Sequence, residues 1–213
     1  YPDTSFKYYL LAAQSKSIYI NYITPEVHRE FAYVMQTPKS VEARTNAIEY
    51  LSNALTQKFT PIYFLALFAL LATDPDSYNK KEAKQQLEKA IEFRRNLMQK
   101  AAELHQEIPS QIIPETAIPY LVHILAYHKD FDKDLPELAT FSVYLAFFLT
   151  PICKTTNQLS YAFDLCEYYS YLDAAEEDYT DNCKRLFNLA MAIIKDLGKE
   201  REWDSSKESQ DNK

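Results

Sequence analysis

The chain has 213 residues, 47% of them hydrophobic and 25% charged, and a formal net charge of −7. It holds one glycine, Gly198, where ordinary usage of about 7% would give roughly fifteen. Tight β-hairpins and phosphate-cradling loops need glycine for positive φ or close backbone approach, and no GxGxxG, P-loop or GxSxG motif is present, so dinucleotide-binding, P-loop and α/β-hydrolase readings fall away.

Three further features bound the class. The longest apolar run, residues 62–72, is about half a membrane span. The cysteines, Cys153, Cys166 and Cys183, are odd in number and lack CxxC spacing, so they read as buried thiols rather than a metal or disulfide framework. Residues 1–100 carry 13 Lys and Arg against 10 Asp and Glu, and residues 101–213 carry 10 against 20. The acidic half suits a basic protein partner or a solvated surface, and does not suit nucleic acid. The chain opens on Tyr1 rather than Met, which points to a piece of a longer protein.

Taken in order, the pattern predicts about nine helices in one continuous stack over 1–198, with 199–213 a polar, disordered tail. Residues 6–14 are apolar on one side. Thr24 caps a second helix with Pro25 at its first position, through His28, Phe31 and Val34 to Met35. Thr37-Pro38 opens the third, with Val41, Ile48, Leu51 and Leu55 at helical spacing and Arg44 inside the stripe. Residues 60–76, TPIYFLALFALLATDPD, are apolar nearly all round and predict a buried inner helix ended by Asp74-Pro75-Asp76. Residues 78–104 form a long helix with Ala83, Leu87, Ala90, Ile91, Leu97, Met98 and Ala101 on its apolar face. A helix over 114–127 follows, with Pro119 near its start or at a kink, and then one over 135–149 ended by Thr150-Pro151. Helices over 158–172 and 180–197 close the set, with Gly198 as a C-terminal cap.

Within this series one pattern recurs. Thr24-Pro25 leads to Glu42-Ala43-Arg44, and Thr60-Pro61 leads to Glu82-Ala83-Lys84; the first elements lie 36 residues apart and the second 40. A two-helix unit repeating near 40 residues predicts an all-α fold, an α-solenoid of HEAT-like antiparallel helix pairs.

Arg44 and Arg94 stand on the apolar stripes of their helices, and a buried guanidinium must be paired. The structural reading bonds them to an acid such as Asp74 or Asp76 or to helix C-terminal carbonyls; the functional reading makes Arg94 and Arg95 a basic site for an acidic partner segment. Asp130, Asp132 and Asp134 begin like a calcium loop, but Leu135 and Phe141 stand where Gly and Glu are required, leaving a capping turn. Asp173, Glu176, Glu177, Asp178 and Asp181 form an acidic loop, either solvated or, at Glu176, Glu177 and Asp178, a protein-binding patch; a magnesium–diphosphate site would need them on one helical face. His28, His105, His123 and His128 make no HExxH, and His123 reads as a core histidine. Tyr168, Tyr169 and Tyr171 read as half-buried packing that could also anchor an interface. No catalytic constellation, metal or cofactor is implied, and neither a nucleic-acid site nor a membrane segment is evident.

Three stretches carry a family resemblance: FLALFALLATDPD (64–76), EAKQQLEKAIEFRR (82–95) and IPYLVHILAYHKDF (118–131). Together they resemble the precocious-dissociation-of-sisters family, the large HEAT-repeat regulators of the cohesin ring. Arg94 and Arg95 match that family's paired arginines, Ala43-Arg44 an upstream Val-Arg step, and Pro119, Tyr120 and His123 its Pro-Tyr-x-x-His helix. Tyr127-His128-Lys129 depart from it, standing where His-Asp-Pro is usual. The likeness covers about half the chain and fades after Phe131. It implies the C-terminal solenoid portion of a nuclear, chromatin-associated, non-enzymatic scaffold in sister chromatid cohesion. Its implied partners are the kleisin subunit of cohesin and the release and establishment factors of cohesion. The rival reading is a HEAT-repeat adaptor of a transport or condensin-like assembly.

Overall fold

A computed structural model describes residues 32, 35, 40–56, 60–128, 131, 135–174, 179–199 and 201. Among these the fold is all-α, with no strand, built from helices packed in antiparallel HEAT-like pairs. The helices expected over 6–14 and 24–35 lie outside the described residues, except Ala32 and Met35, which are helical and buried. The chain divides into two compact units, Tyr1–Ala117 and Ile118–Lys213.

In the first unit, α1 spans Val41–Leu55. Ser40, not Thr37, is its cap, accepting from Ala43 N–H at 3.1 Å. Val41 is therefore a first-turn residue and is exposed, while Arg44, Ala47, Ile48, Leu51, Ala54 and Leu55 face inward. The inner helix, Ile62–Thr73, is buried along almost its whole length, as an all-round apolar sequence requires. Its winding is 3₁₀ rather than α, an uncommon length for that form. Twelve residues at a 3₁₀ rise of about 2.0 Å reach about 24 Å, close to the roughly 22 Å of the fifteen-residue α1 beside it. The stretched helix spans its neighbour from end to end.

The long helix α2, Ser77–Glu103, begins at Asp76, whose carboxylate accepts from Asn79 N–H at 2.9 Å. Its far end is a Schellman closure: Gln106 N–H donates to Ala101 O at 2.8 Å and His105 N–H to Ala102 O at 3.0 Å. His105 takes the left-handed backbone (φ 52°) that such a closure demands. Short 3₁₀ turns at Ser110–Ile112 and Pro114–Ala117 complete the unit.

Side-chain bonds set the register of α1 against α2. Thr45 Oγ1 donates to Asn79 Oδ1 at 2.8 Å, and Ser52 Oγ to Gln86 Oε1 at 2.6 Å, each pair 34 residues apart. A constant offset means the two helices run in the same direction. The inner helix runs back between them, with Thr60 at the end of α1 (Oγ1 to Ala54 O, 2.5 Å) and Asp74 at its start. This is the order of two stacked repeats. The Glu-Ala-basic steps do not occupy equivalent places, however. In the first copy Arg44 is the buried member, and in the second it is Ala83. The observed step is 34, not 36 or 40.

The second unit holds α3 (Ile118–Ala126), α4 (Leu135–Ile152), α5 (Thr156–Ser170) and α6 (Thr180–Lys199). Pro119 is the second residue of α3, where its missing N–H costs nothing. Thr150-Pro151 does not end α4, because Pro151 sits in its last turn and the helix continues to Ile152. Thr155 and Gln158 form a capping box that starts α5, two residues earlier than its apolar pattern alone predicts. Helix α6 packs on α3, α4 and α5 through Cys183, Leu186, Phe187, Ala190 and Ile194. Gly198 is not a left-handed cap. It continues that stripe four residues beyond Ile194, buried and without positive φ, where the absence of a side chain permits close packing. Of the expected tail, 199–213, Lys199 is instead the last residue of α6 and Arg201 N–H donates to Gly198 O at 2.8 Å, while residues 200 and 202–213 lie outside the described residues.

Candidate functional site

The basic residues singled out by their helical position are held inside the first unit. Arg44 donates from Nε to Asp74 Oδ2 at 2.6 Å and from Nη2 to Asp74 Oδ1 at 3.1 Å, and from Nη1 to Ser40 O at 3.3 Å. Asp74 also accepts from Asp76 N–H at 2.8 Å, so the fork ties the start of α1 to the turn that opens α2. Both side chains are buried, and such a fork–fork pair is the geometry in which a buried guanidinium is tolerated.

Arg94 is 1% exposed and donates from Nη2 to Thr60 O at 2.7 Å, at the entry to the inner helix. Burial pulls its guanidinium down from the ordinary 12.5 to about 10. Arg95 is 23% exposed and grips Glu115 with both Nη atoms, one of them at 3.0 Å from Oε2. Glu115 is almost fully buried in the Pro114–Ala117 turn. Sequence reasoning missed Glu115; the available signal was a lone carboxylate in the apolar stretch IIPETAI. It also missed Asn79, fully buried and bonded to both Thr45 and Val41 O.

The acidic cluster is only partly placed. Glu176, Glu177 and Asp178 lie outside the described residues, as do Asp130, Asp132, Asp134 and His28. Asp173 is exposed and accepts from Lys184 Nζ at 3.1 Å; Asp181 is in the first turn of α6, where a carboxylate suits the helix dipole. No group of His, Cys, Asp and Glu able to hold a metal occurs among the described residues. His123 lies 4.6 Å from the Tyr127 ring, which stacks on Tyr179 at 3.8 Å, and Asn182 Nδ2 donates to Ala126 O at 3.2 Å, so this end of α3 is joined to α6 by rings and an amide. All three thiols are free and buried; burial pushes Cys183 up to about 11 and Cys166 higher still.

The tyrosines divide. Tyr169 packs on Phe187, whereas Tyr168 and Tyr171 are 62% and 77% exposed rather than half-buried. Among the described residues no helix is long and apolar enough to cross a membrane.

Arg44, Arg94 and Arg95 each brace a separate place in the first unit, at Asp74, Thr60 O and Glu115, and Tyr168 and Tyr171 stand exposed on the second. Comparison with known proteins agrees with a repeat scaffold. The sequence model of the sister chromatid cohesion protein PDS5 family matches residues 7–213. Sister chromatid cohesion protein PDS5 homolog A-B of Xenopus laevis is 31% identical over 153 residues, 70% of this chain and 11% of that protein. PDS5 homolog A of Homo sapiens is 30% identical over 147 residues, 68% of this chain and 11% of its own length. PDS5 homolog B of Gallus gallus is 30% identical over 115 residues, 53% of this chain and 8% of its own length. The chain thus spans about a tenth of the length of these relatives. With a family match running almost from end to end, and helix pairs braced at the arginines that first carried the likeness, the chain belongs to the PDS5 sister chromatid cohesion protein family.

Proposed function

We propose that this chain is part of a non-enzymatic HEAT-repeat scaffold that regulates cohesin in sister chromatid cohesion, in the nucleus and on chromatin, by docking protein partners. The family match over residues 7–213 carries the reading. The geometry supports it: stacked helices hold fixed outer surfaces, and solenoids use such surfaces to seat partner segments. The partners are the kleisin subunit of cohesin and the release and establishment factors.

Within the segment, Arg94 and Arg95 act as internal struts, since their guanidiniums are directed to Thr60 O and Glu115. The acidic loop at Glu176, Glu177 and Asp178 is the docking candidate. The test is made in the full-length protein. Removing residues 1–198 is expected to separate sister signals in mitotically arrested cells and to lower kleisin co-precipitation; paired sisters and unchanged co-precipitation would dismiss the reading. Charge reversal of Glu176, Glu177 and Asp178 to Lys tests the loop by itself, and undiminished co-precipitation rules it out.

A further inference from the structure

Helix α5 presents an exposed outer face. Tyr161, Asp164, Glu167 and Tyr168, with Tyr171 and Leu172 in the turn just beyond Ser170, are all exposed. At about 100° per residue these six positions fall within an arc of about 140°, opposite the buried Leu159, Ala162 and Cys166. From Tyr161 to Leu172 the face is about 16 Å long at an α-helical rise. Large apolar side chains gathered on one exposed face mark an interaction surface more often than singly scattered ones do.

Charge identifies the occupant. Asp164 and Glu167 are the only charged residues of α5, and both are acidic. The last turn of the helix contains no basic residue, so the negative end of its dipole, beside Tyr168 and Tyr171, lacks a cation from its own helix. Partial desolvation pushes the Asp164 carboxyl up. The second unit already uses cation-on-ring chemistry behind this face, where Lys195 Nζ lies 5.1 Å from the centre of the Phe163 ring.

We infer that the Tyr161–Asp164–Glu167–Tyr168–Tyr171 face of α5 docks a short peptide segment bearing arginine. A guanidinium can lie flat on tyrosine and take a carboxylate in a two-pronged grip, which the point charge of lysine does less well. The face accommodates a few extended residues, so it is one small contact among several along a scaffold. The inference rests on the docking role proposed above and names a surface and partner chemistry for it.

The test titrates the full-length protein with a short fluorescent Gly-Ser peptide carrying alternating Arg and Leu, and with its Glu-for-Arg counterpart. The Arg peptide is expected to bind and the Glu peptide not. Tyr168→Ser with Tyr171→Ser, and separately Asp164→Asn with Glu167→Gln, are each expected to weaken binding roughly tenfold or more, the scale of interface hot spots. Because all four side chains are exposed, the melting temperature should not move. Glu88→Gln with Glu92→Gln, on the exposed face of α2, should leave binding unchanged. Equal binding by wild type and both α5 variants, or an equal loss with the α2 control, overturns the proposal. So does self-association in sedimentation that the tyrosine variant abolishes, since the face would then seat a second copy. If either result accompanies lost cohesion on removing residues 1–198, the scaffold role stands and only this surface is dismissed.

Discussion

Arg44 and Asp74 are each buried, and each is tolerable only because the other is there. Asp74→Ala, which leaves a buried guanidinium, is expected to cost about 3–5 kcal/mol, while Arg44→Met with Asp74→Leu should cost far less. Urea unfolding of the three variants measures the contrast. The thiols give a second check. Cys183 ionises near 11 in the fold and near 9.0 when free, so the unfolded chain loses its proton first. Its contribution to stability is constant below pH 9 and falls as pH rises from about 9 to about 11. At pH 8 the native protein should therefore leave Cys153, Cys166 and Cys183 unlabelled by a thiol reagent, and all three should react in denaturant. At this scale the sequence showed which arginines point inward, because a stripe position is a local property. It left the partner open between Asp74, Asp76 and helix C-terminal carbonyls, and the fold pairs Arg44 with Asp74 and Arg94 with Thr60 O. Glu115 was missed, since its bond to Arg95 closes 20 residues of chain, and the lone carboxylate in IIPETAI signals burial without naming a partner.

Helix ends show what local pattern can and cannot resolve. The inner helix was plain from its all-round apolarity, but its 3₁₀ winding was not, since apolarity all round fits either winding. At Thr155 two capping bonds start α5 before its apolar periodicity does; Thr155→Ala should cost about 1 kcal/mol by chemical denaturation. Glycine misled in the opposite sense. The one glycine lies within α6, while the left-handed closure of α2 falls to His105. A non-glycine residue there costs roughly 1–2 kcal/mol, partly offset by the greater freedom of glycine in the unfolded chain. His105→Gly is thus expected to stabilise the protein by about 0.5–1 kcal/mol, seen as a raised unfolding midpoint.

Across the whole chain the net charge belongs to one unit. Tyr1–Ala117 carries 13 Lys and Arg against 13 Asp and Glu, and Ile118–Lys213 carries 10 against 17. A duplex DNA probe followed by anisotropy is expected to show no binding at physiological salt, since phosphate contacts need cations in excess, and those of the first unit are matched by as many acids while those of the second are outnumbered. The paired bonds between α1 and α2 reach furthest at this scale. A residue inserted between Thr45 and Ser52 would turn Ser52 by about 100° and move it about 1.5 Å along the axis, away from Gln86, while the Thr45 bond stayed in place. One inserted in the connection between α1 and the inner helix would change the offset of 34 and disturb neither bond. Repeats of this kind can therefore drift in length over evolutionary time at their turns while their rungs stay aligned, and a spacing counted along the chain need not equal the step at which the helices meet.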